Sequence, residues 1–160
     1  MAILQYRLDG RMLHGQVSAF AKNLNIDYFV VINEATANDD TAVMLLELAA
    51  LNAEVEVLPP EEAYDLLVTD ELEDYRVMVV FKEINDAVEL VKCGYDQMKE
   101  LIISGMYQNK EQTKVKCDAS LFVDDDDKKA FRYLEDNGVE LTHQIAPEYR
   151  KRFVRDLVKY

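Results

Sequence analysis

Val77-Met-Val-Val-Phe81 (VMVVF) sets five apolar residues in a row, three of them β-branched, with no polar residue between them. A strand wetted on one face alternates apolar and polar side chains. An unbroken run of this length is instead the pattern of a strand covered on both faces of a parallel sheet. Tyr28 to Asn33 (YFVVIN) reads the same way, and the two runs become central strands. Between them, DDTAVMLLELAALN carries apolar residues at helical spacing behind an Asp pair, EVEVLP alternates as a strand, and PEEAYDLLVT opens a helix at Pro60 with acids in its first turn. Further on, NDAVELVKCG predicts a helix capped by Asn85 or Asp86 and stopped by Gly94, ELIISG a strand, and DDDDKKAFRYLEDNG a helix ending at Gly138. VELTHQI gives a last strand and PEYRKRFVRDLVKY a closing helix. Residues 113–123 (TKVKCDASLFV) fit either one strand or a short irregular pair. Strands alternating with helices of this length predict an α/β fold, a three-layer α/β/α sandwich with a mainly parallel central sheet. With 160 residues and neither repeat nor linker, the expectation is a single domain over residues 1–160.

Charge narrows the function. The net charge is −13, so the field of the whole molecule repels nucleic-acid phosphates and anionic lipid, and no nucleic-acid partner is expected. The stretch 145–160 is the exception, with Arg150, Lys151, Arg152, Arg155 and Lys159 against Glu148 and Asp156. No apolar run approaches the roughly 20 residues of a membrane helix, so direct membrane insertion is not expected. MAILQYRLDG has Arg7 and Asp9 where a secretory leader would be apolar, and Cys93 and Cys117 show no metal-ligand spacing, which points to the cell interior.

The chemistry concentrates in Arg7–Val17, RLDGRMLHGQV. The first strand, AILQYRL, ends as this stretch begins, and GQVSAFAKNL behind it reads as a helix. His14 therefore falls in the loop at the carboxyl edge of a parallel strand, where open α/β sheets place their ligands, next to a helix start. Arg7 and Arg11 are fixed cations with forked donors that suit a tetrahedral phosphate. Asp9 either orients the imidazole, holds an arginine, or shapes a turn ahead of Gly10. His143 lies mid-strand and reads as structural. With the two histidines far apart and no carboxylate or thiol at ligand spacing, neither metal nor cofactor is expected. The Asp124–Asp127 run lacks calcium-loop spacing and reads as acids favoured at a helix start.

At RLDGRMLHGQV the sequence resembles the phosphocarrier IIB component of the mannose/fructose/sorbose family of the bacterial sugar phosphotransferase system (PTS), whose signature runs close to R-[IV]-D-x-R-L-[IL]-H-G-Q-V. VVINEATANDD, VMVVFKEINDAVELVKCG and DNGVELTHQIAP are similar to later family segments, so the likeness runs along nearly the whole chain. The resemblance implies that His14 accepts a phosphoryl group, through Nδ1, from phosphorylated IIA. It implies that the group then passes to sugar translocated by the membrane components IIC and IID, with Arg7 and Arg11 binding phosphate. Such a protein-histidine phosphotransferase would be cytoplasmic, peripheral to the inner face of the membrane through IIC/IID. The chain departs from the family pattern at Phe20, usually Trp, at Ile102 and Ser104, usually Asn and Gly, and at Glu34, usually Asp. The altered Ile103–Met106 loop leaves open a degenerate IIB-like regulatory module that transfers nothing. A receiver-like module fits less well, because Lys82 stands where a receiver would carry an Asp for magnesium.

Overall fold

The computed structural model describes residues 2–109 and 111–160. In chain order the elements are β1 (Ile3–Asp9), a 3-10 turn (Met12–His14), α1 (Val17–Asn23), β2 (Tyr28–Ile32), α2 (Glu34–Ala37), α3 (Asp40–Ala49), β3 (Glu54–Leu58), α4 (Pro60–Leu67) and β4 (Val77–Phe81). They continue with α5 (Ile84–Lys92), β5 (Glu100–Gly105), β6 (Val115–Asp118), β7 (Leu121–Val123), α6 (Asp125–Asp136), β8 (Glu140–His143), β9 (Arg152–Phe153) and a second 3-10 turn (Val154–Asp156). The main sheet has seven strands in the order β3-β2-β4-β1-β5-β8-β9, parallel except for the β8–β9 pair. The chain is thus an α/β protein, its mainly parallel sheet covered by helices.

The uninterrupted apolar runs are central strands, as their composition predicts: β2 and β4 are buried at every position. Successive side chains serve opposite layers. Tyr28, Val30, Ile32, Val77, Val79 and Phe81 join the core under α4, α5 and α6. Phe29, Val31, Met78 and Val80 join Val17, Phe20 and Leu46 under α1 and α3. β1 lies between β4 and β5 and follows the same alternation, with Tyr6 and Leu8 in the first core and Arg7 and Asp9 on the opposite face, also fully buried.

One open alternative is decided and two expectations change. Residues 113–123 form a short antiparallel pair, β6 and β7, turned at Ser120, which adopts a left-handed φ of 58°. α5 begins at Ile84, ahead of both expected caps: Glu83 occupies the cap, two residues before Asn85, and Asp86 Oδ2 accepts its amide at 2.9 Å. The closing helix does not form. Arg152 and Phe153 pair with His143 and Thr142 as an edge strand, and a 3-10 turn then buries Val154 and Val158. The apolar spacing that suggests a helix serves this turn equally well. The extended trace brings Lys151 to Glu100, Arg152 to Asp118 and Arg155 to Glu135. The basic stretch is therefore spread across the acidic body it docks on.

Candidate functional site

β1 ends at the carboxyl edge of the sheet with Asp9 paired to Gly105, and the Gly10 amide donates to the Gly105 carbonyl at 3.0 Å. The chain then turns sharply. Met12 takes a left-handed φ of 51°, which for a residue with a side chain costs on the order of 1 kcal/mol. Met12 and Leu13 are buried against α1 and α3, each worth roughly 1.5–3 kcal/mol, which offsets that strain. Because the two middle residues point inward, their neighbours Arg11 and His14 point out. Both are exposed, and the His14 amide closes the turn onto the Arg11 carbonyl at 2.9 Å.

Asp9 and Gly15 fix this turn from below. Asp9 Oδ1 accepts the Arg11 amide at 2.9 Å, so of the roles open to Asp9 the one observed is shaping the turn. Its Oδ2 is buried with no hydrogen-bond partner among the described residues. Burial raises the Asp9 pKa, opposed by the Arg11 amide and by the charges of Arg11 and Arg7. A Cβ on Gly15 would come within 2.9 Å of Asp9 Oδ2 and 3.2 Å of Arg11 Nε. Only glycine lets the chain leave the turn so close to the carboxylate and enter α1.

The two arginines occupy different worlds. Arg7 is completely buried: its Nε donates to Ser104 Oγ at 3.0 Å, one Nη to Gln5 Oε1 at 2.8 Å and the other to the Gln144 carbonyl at 3.2 Å. Its guanidinium lies 3.3 Å from the Phe20 ring centroid. Desolvation lowers its pKa to about 9, while the charges of Asp9 and Glu100 act the other way. Arg7 ties β1 to β5, α1 and the end of β8, and does not share the surface with His14. Sequence reasoning missed this role. Phe20 and Ser104, two of the departures from the family pattern, are the side chains that stack on and hydrogen-bond to it.

Arg11 instead stands over the Tyr107 ring, 5.0 Å from its centroid, and both line a cleft of about 590 Å³ at the sheet edge. Lys82 and Lys114 also line it, but Lys114 is committed to Asp127 at 2.9 Å and lies 3.7 Å from Asp124. The other histidine, His143, is buried in β8 with Nδ1 2.7 Å from the Ile103 carbonyl and Nε2 3.1 Å from the Ala119 carbonyl. Among the described residues no group of three His, Cys, Asp or Glu side chains could hold a metal ion. No helix among them is long and apolar enough to cross a membrane. The arrangement thus offers one exposed imidazole and one exposed guanidinium on a hydrogen-bonded turn, suited to taking up and charge-balancing a phosphoryl group.

Comparison with known proteins gives this fold and turn a context. Residues 3–160 match the family model described as PTS system sorbose subfamily IIB component. The chain is 31% identical over 148 residues to the sorbose-specific EIIB component of Lacticaseibacillus casei, covering 91% of this chain and 88% of that one. It is 28% identical over 160 residues to the mannose-specific EIIAB component of Escherichia coli (strain K12), covering 99% of this chain and 49% of that longer protein. The crystal structure of the IIBSor domain of the sorbose permease from Klebsiella pneumoniae superposes with a TM-score of 0.84 at 26% identity, covering 98% of this chain and 95% of that one.

Proposed function

Because the chain belongs to the PTS sorbose subfamily IIB component family, we propose that it is a phosphocarrier whose His14 takes a phosphoryl group from phosphorylated IIA and passes it to sugar held by the membrane components IIC and IID. One observation carries the reading. Of the two histidines, only His14 is exposed, and it stands at the carboxyl edge of the central strand beside an exposed arginine. The relative that bears the name EIIAB supports IIA as the donor. On this reading the whole chain is a single IIB domain that works in the cytoplasm, at the inner face of the membrane through its partners.

In the first step a lone pair on one His14 ring nitrogen attacks the phosphorus of the donor phosphohistidine. The donor P–N bond breaks as the new one forms, and its electron pair returns to the donor imidazole. In the second step a sugar hydroxyl oxygen attacks the same phosphorus, the His14 P–N bond breaks with its pair returning to the ring, and the hydroxyl proton leaves to solvent. Charge spreads over the three equatorial oxygens in both steps, and Arg11 is the cation that balances it. Asp9 keeps Arg11 and His14 in one turn. Arg7 acts from inside, holding β1, α1 and β5 in place, and touches neither donor nor acceptor.

The test uses radiolabelled phosphoenolpyruvate with enzyme I, HPr and a IIA protein. The expected product is an acid-labile, base-stable phosphoramidate mapping to His14. His14→Gln is expected to remain unlabelled with an unchanged melting temperature, since an exposed side chain is lost without a cavity. Wild-type protein that binds phosphorylated IIA but takes no label would mark a regulatory module instead.

A further inference from the structure

Resting on the phosphocarrier reading, we propose that Tyr107 is a positioning residue that holds the Arg11 guanidinium ready for the phosphoryl group. Tyr107 follows β5 in the loop that crosses the carboxyl edge, and three observations meet on it. Its ring lies beneath Arg11, with the guanidinium carbon 5.0 Å from the centroid, within the range of a cation–π contact. The ring is pressed onto two backbone segments: a Cβ on Gly10 would come within 3.0 Å of its Cδ2, and one on Gly105 would collide with its hydroxyl. The strand pair that ends at Asp9 and Gly105 therefore admits this ring because both positions beside it lack side chains. Finally, the Tyr107 hydroxyl is buried with no hydrogen-bond partner among the described residues. What Arg11 meets is the aromatic face.

Arg11 has few other restraints. Asp9 accepts the Arg11 backbone amide and acts on the guanidinium through charge alone, with no side-chain hydrogen bond between them among the described residues. An exposed arginine samples many rotamers, and ordering it at the moment of transfer opposes the reaction. The Tyr107 ring narrows that search in advance while leaving the outward face of the guanidinium to the phosphoryl oxygens.

The experiment compares wild type, Tyr107→Phe and Tyr107→Leu in single-turnover transfer from phosphorylated IIA, each also in an Arg11→Ala background, with thermal melts throughout. The side-chain Nε–Hε resonance of Arg11 is followed by NMR in the unphosphorylated proteins. The expected result is a ring-current upfield shift of that resonance in wild type and Tyr107→Phe, lost in Tyr107→Leu. Transfer is expected to hold in Tyr107→Phe and to fall about fivefold in Tyr107→Leu. In the Arg11→Ala background the Leu change is expected to have no further effect, because Tyr107 acts only through Arg11. An unshifted Arg11 resonance in wild type, or an equal slowing by Tyr107→Leu with and without Arg11, overturns the proposal. If Tyr107→Leu fails to fold, loss of transfer or of the shift in Tyr107→Phe overturns it as well. If wild type takes no phosphoryl group the phosphocarrier reading falls, and the resonance alone then decides whether Tyr107 fixes Arg11.

Discussion

Arg7 and Arg11 make a contrast that a pair of substitutions can read. Arg7→Ala leaves Ser104, Gln5 and the Gln144 carbonyl without their donor and opens space against Phe20, so it is expected to cost about 3–5 kcal/mol in urea unfolding. Arg11→Ala, at the surface, is expected to change stability by no more than about 0.5 kcal/mol and to slow transfer about a hundredfold if Arg11 supplies roughly 3 kcal/mol in the transition state. Arg11→Lys keeps the charge but not the fork and should recover part of that rate. The sequence groups both arginines beside His14 and does not separate them. The signal that does is the strand's own alternation: Tyr6 and Leu8 take one face of β1, so Arg7 must take the other. A strand with helices on both sides has no wet face. Tyr107 carried no such signal, because its contacts with Arg11 and with Gly10 arise only once β5 has paired with β1.

At the scale of one element, α5 carries a measurable cost at its start. Asp86 accepts the Glu83 amide at 2.9 Å and the Asn33 side-chain amide at 3.0 Å from inside the fold, and burial pushes its pKa up to about 6, against the pull of both hydrogen bonds. The native state therefore holds the Asp86 proton more tightly than the unfolded chain, whose aspartates titrate near 3.9. The penalty is absent below that value, grows as pH rises through it and is complete above about 6. Wild type is accordingly expected to lose about 1 kcal/mol relative to Asp86→Asn between pH 5 and pH 7, read as the difference between their urea unfolding free energies. A difference that stays flat, or that runs the other way, would remove Asp86 as the source. Most elements were legible from periodicity and caps, with Pro60, Gly94 and Gly138 marking ends where expected. The chain after Pro147 was not. Its apolar residues recur at helical spacing, but the open edge of β8 offers backbone hydrogen bonds that a free helix there would leave unmade.

For the molecule as a whole, that last segment closes both the sheet and the core. Removing residues 152–160 takes away buried Val154 and Val158 and the Tyr160 ring that packs 5.3 Å from Phe131. The expected loss is about 4 kcal/mol or more in urea unfolding, nearly all from apolar burial, because the exposed ion pairs to Asp118 and Glu135 contribute little. The layers and the parallel strands β1 to β5 and β8 follow from the alternation of patterns. The order β3-β2-β4-β1-β5-β8-β9 does not, since no local pattern says that β1 will sit between strands that begin about 70 and 95 residues later. That interleaving sets a timetable during synthesis. The turn bearing His14 leaves the ribosome well ahead of Gln144, whose carbonyl completes the Arg7 anchor. At roughly 5–20 residues per second the histidine is translated on the order of ten seconds before its scaffold can close around it. A nascent chain thus exposes His14 long before the framework around its turn is in place.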